Sequence, residues 1–327
     1  MVLSPFVLIG WFGHIIICYY LIRPICNTLV RTILTIVPCI LFTYITCQNF
    51  PPYDSSSLII LVLCWMISIR LIHLTIFSID KLLTFRSFLF KILWILLPIL
   101  PLKLKRNEWP IKYYLILIPV KLLINNWSYH WSISCETRVS YTRIFLFYLS
   151  LITISYVLDS LTILVRIFTR DKYTVESFTN FPLFSLSLRE FWGQRYNRFI
   201  GTVLKESIFE PIRSKFSSST IGGLTTFIIS GLLHVHVAFV AFDDVSSLFP
   251  TFIFFFLHGI GCCFEANMKI QLPKYIGWIL THVFLLLTAP FVLEPSIKRG
   301  SPLLLQNPPP LVNIEWIPKL PIPNFCP

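Results

Sequence analysis

Two neighbouring stretches decide how this chain folds: LREFWGQRYNRFIGTVLKESIFEPIR at residues 188–213 and SGLLHVH at residues 230–236. The first mixes aromatic and basic residues, whereas the second places His234 within an apolar run over 221–242. A charged side chain at the centre of a membrane span costs roughly 2.5–3.5 kcal/mol, so ionisable residues found there are functional candidates by default. We therefore expect chemistry at His234.

The composition of the whole chain is typical of a membrane protein. Of its 327 residues, 55% are hydrophobic and 13% are charged, and the mean hydropathy is +0.75. A spanning helix needs about 20 apolar residues. Full-length candidates lie at 5–22, 28–47, 57–79, 143–167, 221–242, 248–268 and 274–295, and shorter ones at 87–102 and 111–124. The sequence predicts an all-α polytopic membrane protein with about seven to nine transmembrane helices.

Charge and cysteine content narrow the possible partners. The net charge of +12 is spread over the loops, where topology signals and anionic lipid headgroups account for most of it. A nucleic-acid partner therefore has little support. The nine cysteines form no CxxC pair and show no Cys/His spacing that suits zinc, so we predict no metal site.

The first stretch has the pattern of an amphipathic interfacial helix. At helical spacing, Asn197 lies about 140° from Trp192, at one edge of the apolar face. The apolar face collects Trp192, Tyr196, Phe199, Ile200, Val203 and Leu204, and the polar face collects Gln194, Arg195, Arg198, Gly201 and Lys205. Two roles stay open for Asn197: a helix cap or crosslink, or a hydrogen-bond donor to an oxyanion or a substrate carbonyl.

Small residues flank His234 on its helix. Ser230 and Gly231 precede it at i−4 and i−3, and two alanines follow at i+4 and i+7. Such a face suits either close helix packing or a substrate passage. His236 points about 200° away from His234, so the two cannot easily bind one metal. On the next helix, His258 and Glu265 share a polar stripe that suits structural hydrogen bonding or the wall of a reaction chamber.

Four blocks carry a family resemblance: SLREFWGQRYN at 187–197, FEPIR at 209–213, SGLLHVH at 230–236 and FFLHGIGCCFE at 255–265. In order and spacing they resemble the wax synthase branch of the membrane-bound O-acyltransferases, most densely over 181–268. The chain departs from the family pattern at four positions. Gln194 and Tyr196 stand where Arg and Trp are usual, Leu233 replaces Trp, and Val235 replaces a Glu often found after the histidine.

The resemblance implies a single O-acyltransferase-like membrane domain over 1–295, and the eight prolines of residues 296–327 predict an extended proline-rich tail. It implies transfer of an acyl group from acyl-CoA to the hydroxyl of a lipophilic acceptor, with a long-chain alcohol foremost. His234 would be the catalytic general base and Asn197 its catalytic partner. Acyl-CoA would be a co-substrate, no further cofactor is expected, and the location would be the endoplasmic reticulum membrane.

The remaining candidates are assigned to substrate binding. They are Trp192, Arg195, Arg198, Ser230, Gly231, His258 and Glu265. The arginines would meet the phosphates of CoA, and the acyl chain would enter among the small residues. Sterols, diacylglycerol and specialised small hydroxylated metabolites stay open as acceptors, and the sequence does not predict an oligomeric state. The alternative is a catalytically altered acyl-CoA-binding protein, or a lipid-binding or transport protein in which His234, His258 and Glu265 form a polar relay.

Overall fold

The computed structural model describes residues 5–48, 50–52, 54–78, 83–102, 109–134, 140–268, 272–298 and 320–321. Its α-helices are α1 Pro5–Ile17, α2 Thr28–Cys47, α3 Ser55–Ile72, α4 Phe85–Leu93, α5 Ile111–Ser134, α6 Tyr141–Thr153, α7 Tyr156–Phe168, α8 Leu188–Glu190, α9 Arg198–Leu204, α10 Glu210–Phe216, α11 Ser219–Phe242, α12 Leu248–Asn267, α13 Lys274–Thr288 and α14 Pro290–Lys298. Short 3-10 turns occur at Pro182–Phe184 and Val245–Ser247, and π-helical turns at Cys18–Ile22, His73–Phe77, Phe191–Arg195 and Lys205–Phe209. Strands β1 Ile99–Pro101 and β2 Tyr173–Val175 pair antiparallel, with Leu100 opposite Thr174.

Within the described residues, seven helical stretches are long and apolar enough to cross a membrane, by length and composition. They are Pro5–Ile22, Thr28–Cys47, Ser56–Phe77, Tyr141–Phe168, Ser219–Phe242, Val245–Asn267 and Lys274–Pro295. Each lies within a few residues of a full-length candidate from the sequence. The prediction of an all-α polytopic membrane protein is confirmed.

The two shorter candidates differ from expectation. Over 87–102, α4 ends at Leu93 and Ile99–Pro101 forms a strand, so this stretch is not one helix. The other, predicted at 111–124, belongs to the 24-residue helix α5, which is long but not apolar enough to join the seven. Its polar residues lower the mean hydropathy, and they include Lys112, Lys121, Asn125 and Asn126.

The described helices group into two compact units. Unit 1 comprises Met1–Leu97 and Thr202–Leu248. Its main hydrophobic cluster is built from α1 to α4 and includes Trp11, Ile15, Cys18, Ile22, Cys39, Cys64, Leu71, Leu74, Phe88 and Ile92. Asn27 begins α2, because its Oδ1 accepts hydrogen bonds from the amides of Leu29 and Val30 at 2.9 and 3.2 Å. A capped polar turn thus connects the first two spans.

Unit 2 comprises Pro98–Gly201 and Phe249–Pro327. A buried ion pair links α5 to α7, since Lys121 Nζ lies 2.5 Å from Asp159 Oδ2 and 2.9 Å from Ser155 Oγ. Thr179 Oγ1 donates to the same Ser155 hydroxyl at 3.0 Å. The predicted single domain over 1–295 stays a prediction, because a grouping of helices does not test it. Residues 299–319 and 322–327 of the predicted tail lie outside the described residues.

Large apolar side chains are exposed along the spans. Phe6 on α1, Leu29 on α2 and Tyr275 on α13 are 84, 68 and 85% exposed. In water such surfaces would be unfavourable, whereas lipid tails are as apolar as these side chains. The exposed faces therefore suit contact with hydrocarbon.

The interfacial segment is helical but is not the single helix that the sequence predicts. A π-helical turn at Phe191–Arg195 closes with a hydrogen bond from the Tyr196 amide to the Phe191 carbonyl at 2.8 Å, five residues back. Asn197 then adopts a left-handed conformation with φ of 45°, and α9 begins at Arg198. Helical spacing does not continue across such a break. The predicted position of Asn197, 140° from Trp192 on one helix, is therefore wrong.

Candidate active site

His234 lies in the second half of α11 and is partly buried. Its Nδ1 lies 2.8 Å from the carbonyl oxygen of Ser230, one turn earlier on the same helix. A carbonyl oxygen only accepts hydrogen bonds, so Nδ1 carries a proton, and in the neutral ring the lone pair lies on Nε2. This tautomer makes Nε2 the basic nitrogen of His234.

The small residues around His234 lie on the inner side of α11. Gly231, Ala238 and Ala241 are buried, and Ser230 contributes the carbonyl that holds Nδ1. Leu233, at the position where the resembled family usually has Trp, is buried as well. The small-residue face is therefore turned towards protein rather than lipid, as both helix packing and a substrate passage require.

Asn197 begins α9 through its side chain and its backbone. Its Oδ1 accepts a hydrogen bond from the Ile200 amide at 3.4 Å, and its carbonyl accepts from the Gly201 amide at 2.9 Å. Asn is one of the few residue types that tolerates the left-handed conformation found here. The geometry thus shows the capping role, and donation from Nδ2 to an oxyanion stays a prediction.

Tyr196, which stands where the resembled family has Trp, is packed against the preceding turn. Its ring stacks on Phe191 with centroids 5.1 Å apart and planes 8° apart. Burial raises the pKa of the Tyr196 phenol to about 12. Tyr196 is therefore a neutral aromatic side chain that supports the break at Asn197.

Trp192 and His258 meet in unit 2, on the π-helical turn and on α12. The Trp192 indole Nε1 donates to His258 Nδ1 at 2.9 Å, so His258 carries its proton on Nε2. That Nε2 donates to the Thr288 hydroxyl at 2.9 Å, and Thr288 donates in turn to the Phe284 carbonyl at 2.8 Å. His258 is fully buried, at 0% exposure. The chain of hydrogen bonds fastens Trp192 to α12 and α13.

Glu265 holds the start of the same segment. Its two carboxylate oxygens accept hydrogen bonds from the amides of Leu188 and Arg189 at 2.9 and 3.0 Å. Ser187 caps the turn as well, because its hydroxyl accepts from the Glu190 amide at 3.0 Å. A carboxylate at the first amides of a helix is favourable for its charge and its hydrogen bonds. Glu265 thus ties α8 to α12.

Helix α13 approaches the backbone that leads into α8. A Cβ on Gly277 would lie 2.6 Å from the Leu186 carbonyl oxygen, closer than real Cβ contacts occur. Beside it, Trp278 Nε1 donates to the Leu183 carbonyl at 2.8 Å. Glycine is therefore required at position 277 for this close approach.

Both predicted phosphate-binding arginines have acidic partners. Arg195 lies 2.7 Å from Glu190 and also donates to the carbonyl oxygens of Asn180 and Phe181 at 3.2 and 3.4 Å. Arg198 forms a 3.1 Å ion pair with Glu176, and its side chain is 31% exposed. A phosphate at either guanidinium would share it with a carboxylate.

Sequence reasoning missed the partner of His236. Trp65 on α3 donates from Nε1 to His236 Nδ1 at 3.1 Å, across 171 residues of chain. Thr288 and the pairing of Glu190 with Arg195 were missed as well. The Glu190–Arg195 pair spans five residues, which fits a π-helical turn and not the usual spacing of four. No sequence signal marks Trp65 or Thr288.

The predicted site residues fall into two groups. One group lies in unit 2, on the segment that carries Trp192, Arg195, Asn197 and Arg198. His258 and Glu265 bind this segment from α12. Ser230, Gly231 and His234 belong to α11 in unit 1. The partnership of His234 with Asn197 stays a prediction.

These features define a helical, polytopic integral membrane protein with an intramembrane histidine on α11. Residues 175–257 match the family described as membrane bound O-acyl transferase family. Among similar proteins is a probable long-chain-alcohol O-fatty-acyltransferase 2 of Arabidopsis thaliana, 31% identical over 39% of this chain and 40% of that protein. An acyl-CoA–sterol O-acyltransferase 1 of the same plant is 27% identical over 37% of this chain and 38% of its own. A long-chain-alcohol O-fatty-acyltransferase of Simmondsia chinensis shares 27% identity over the same fractions, 37% and 38%.

The matches confirm that the chain resembles the wax synthase branch of the membrane-bound O-acyltransferases. The matched region includes the break at Asn197, His234 and the Trp192 end of the hydrogen-bond chain. The chain spans about 40% of the length of these three relatives.

Proposed function

We propose that the protein transfers an acyl group from acyl-CoA to the hydroxyl of a lipophilic acceptor, with a long-chain alcohol as the favoured acceptor. The names of two relatives supply that acceptor class, and a third name supplies sterols. The observation that carries the proposal is the hydrogen bond from His234 Nδ1 to the Ser230 carbonyl, within the family-matched region. It fixes the tautomer of an intramembrane imidazole and leaves Nε2 as the nitrogen that can act as a general base.

In the proposed reaction, His234 Nε2 takes the proton of the acceptor hydroxyl while that oxygen bonds to the thioester carbonyl carbon. The carbon–sulfur bond then breaks, and the departing CoA thiolate takes the proton back from the imidazolium. The Ser230 carbonyl stabilises the imidazolium, because it accepts from Nδ1–H throughout. The reaction balances with acyl-CoA and the acceptor alone, so it needs no further cofactor.

Asn197 is the proposed partner that stabilises the developing oxyanion. The Oδ1 of Asn197 accepts from the Ile200 backbone amide, and the Nδ2 of the same side chain can donate to the oxyanion. Loss of such a donor costs roughly 2.7–4 kcal/mol in transition-state stabilisation elsewhere. Capping and donation are therefore compatible functions of one side chain.

We assign the CoA moiety to the segment that carries Trp192 and the two arginines. Arg198 is the favoured phosphate contact. It is bound by Glu176 and the Ser177 hydroxyl but is 31% exposed, whereas Arg195 is bound by Glu190 and two backbone carbonyls and is 24% exposed. Ser230 and Gly231 are assigned to the acyl chain. His258 and Glu265 would shape this side of the site by holding Trp192 and Leu188 in place. The endoplasmic reticulum is the proposed membrane.

The alternative is a catalytically altered protein that binds acyl-CoA or carries lipid. Val235, where a Glu often follows the family histidine, favours it. A relay through His258 and Glu265 has less support, since both His258 nitrogens and both Glu265 oxygens bond to protein groups.

The test is ester formation from radiolabelled acyl-CoA by protein purified into lipid nanodiscs, with a long-chain alcohol, a sterol or diacylglycerol as acceptor. We expect labelled ester with the alcohol for the wild type and none above background for His234→Ala, while both bind acyl-CoA. Equal ester formation by His234→Ala would contradict the assigned base. Acyl-CoA binding without ester from any acceptor in the wild type would support the alternative.

A further inference from the structure

The second histidine of α11 forms a cross-helix contact that the proposed reaction does not use. His236 lies two residues after His234, and its ring contacts Trp65 on α3 within unit 1. The two ring centroids are 6.3 Å apart with planes at 71°, and Nε1 of Trp65 lies 3.1 Å from Nδ1 of His236. The geometry is that of a directed hydrogen bond rather than a stacked pair.

The Trp65 bond fixes the protonation of His236. An indole N–H only donates, so Nδ1 of His236 holds a lone pair and the ring is neutral with its proton on Nε2. His234 has the opposite arrangement, because its Nδ1 donates to Ser230. The two histidines of HVH are therefore chemically distinct. Nε2 is an acceptor in the neutral form of His234 and a donor in His236.

The buried face of helix α11 is built mostly from small residues, so a directed contact adds to what holds the helix in place. Gly222, Gly231, Ala238 and Ala241 are buried, and Leu233 and Phe242 are the larger buried side chains. Faces of small residues allow close approach but give little resistance to rotation about the helix axis. A directed bond to a neighbouring span resists that rotation. Since His234 and His236 point about 200° apart, a rotation that breaks the Trp65 bond also turns His234.

We propose that Trp65 is a positioning residue: through His236 it sets the rotation of α11 and thereby the direction of His234 Nε2. The inference rests on the proposed acyl transfer, in which Nε2 must meet the acceptor hydroxyl. Misplacement of a reacting group by about 1 Å can cost on the order of 100-fold in rate. The effect should fall on kcat, because Trp65 and His236 are not assigned to either substrate.

Four variants test the contact: Trp65→Phe, His236→Leu, the double variant and His236→Asn. Asn places an Oδ1 close to the position of Nδ1, so it can still accept from Trp65, whereas Leu cannot. We expect Trp65→Phe and His236→Leu each to lower kcat about 10- to 100-fold, with KM for acyl-CoA within about twofold of wild type. The double variant should be no slower than either single variant, and His236→Asn should recover most of kcat.

Wild-type kcat in Trp65→Phe and His236→Leu would overturn the inference, as would additive losses in the double variant or an Asn variant as slow as Leu. Thermal unfolding of the same proteins provides a readout without catalysis. If the wild type makes no ester, the proposed function fails, and the Tm values then test the Trp65–His236 bond by themselves. A Tm loss in the double variant equal to the sum of the losses in the two single variants would overturn that bond. If Trp65→Phe does not fold, the comparison of His236→Leu with His236→Asn decides the question.

Discussion

Asn197 has both a structural and a proposed catalytic role, and replacing it with alanine would affect both at once. Its backbone is left-handed with φ of 45°, and its side-chain oxygen caps α9. A residue with an ordinary Cβ pays roughly 1–2 kcal/mol for that backbone conformation, whereas Gly and, to a lesser degree, Asn and Asp adopt it readily. Asn197→Ala would therefore disturb the fold even if the amide had no part in catalysis.

The role of Asn197 is tested by comparing Asn197→Asp with Asn197→Gly. Asp keeps the left-handed preference and the capping oxygen but has no N–H, and Gly keeps only the backbone preference. If Nδ2 donates to the oxyanion, both variants should lower kcat about 100- to 1000-fold. The Tm of Asn197→Asp should stay close to that of the wild type. Wild-type kcat in Asn197→Asp would leave Asn197 as a cap only.

At the scale of elements, the segment over 183–192 is held by α12 and α13. Glu265 and His258 bind it from α12, and Trp278 and the bare backbone at Gly277 meet it from α13. These contacts join residues that are distant in sequence. Helix α12 contains the HGIGCCFE block, and α13 follows it in the chain. The block is therefore explained as an anchor for the FWGQRYN block.

Because Thr288 accepts the hydrogen bond from His258, we expect Thr288→Val to lower stability more than Thr288→Ser. Thr288→Val removes the hydroxyl that accepts from His258 Nε2 and leaves a buried N–H without that acceptor, at a cost of roughly 1–3 kcal/mol. Thr288→Ser keeps the hydroxyl and should cost less. Thermal unfolding in nanodiscs measures both. A Val variant as stable as Ser would show that the hydrogen-bond chain contributes nothing to stability.

Close packing makes a second prediction for the same helix. Gly277→Ala places a Cβ 2.6 Å from the Leu186 carbonyl oxygen and forces that backbone to move, so it should lower Tm by several degrees. A Cβ on Gly13 of α1 would meet nothing within 4 Å, so Gly13→Ala is the matched control and should not lower Tm. Equal Tm values for the two variants would contradict the close approach of α13.

At the scale of the whole molecule, the sequence predicted the spans well and the contacts between them poorly. Hydropathy is a local property, so seven stretches could be read directly from the chain. The Trp65–His236 bond depends on two residues 171 positions apart, which no local pattern reports. The break at Asn197 was missed for another reason. A π-helical turn shifts the helical period, and the interpretation assumed one continuous helix.

His234 was predicted from the cost of an ionisable group in hydrocarbon, and the structure adds the tautomer. The family blocks of the chain could be recognised because each block is contiguous in sequence. The side chains that orient these blocks are distant in sequence and could not be recognised. The proposed acceptor could not be predicted from the sequence, since no motif in the chain distinguishes one hydroxyl-bearing lipid from another. Seven apolar spans and an intramembrane imidazole nonetheless suit the proposed reaction between a lipophilic acceptor and the thioester of a long acyl chain.

The role of His234 as general base is tested most sharply by the single-turnover rate of ester formation by His234→Asn, compared with that of the wild type. Asn can keep a side-chain N–H near the Ser230 carbonyl, as Nδ1 does, but it has no basic nitrogen. We predict a rate loss of about 100- to 10,000-fold, with acyl-CoA binding and Tm close to wild type. A His234→Asn protein that forms ester within a few-fold of the wild-type rate would show that His234 is not the base.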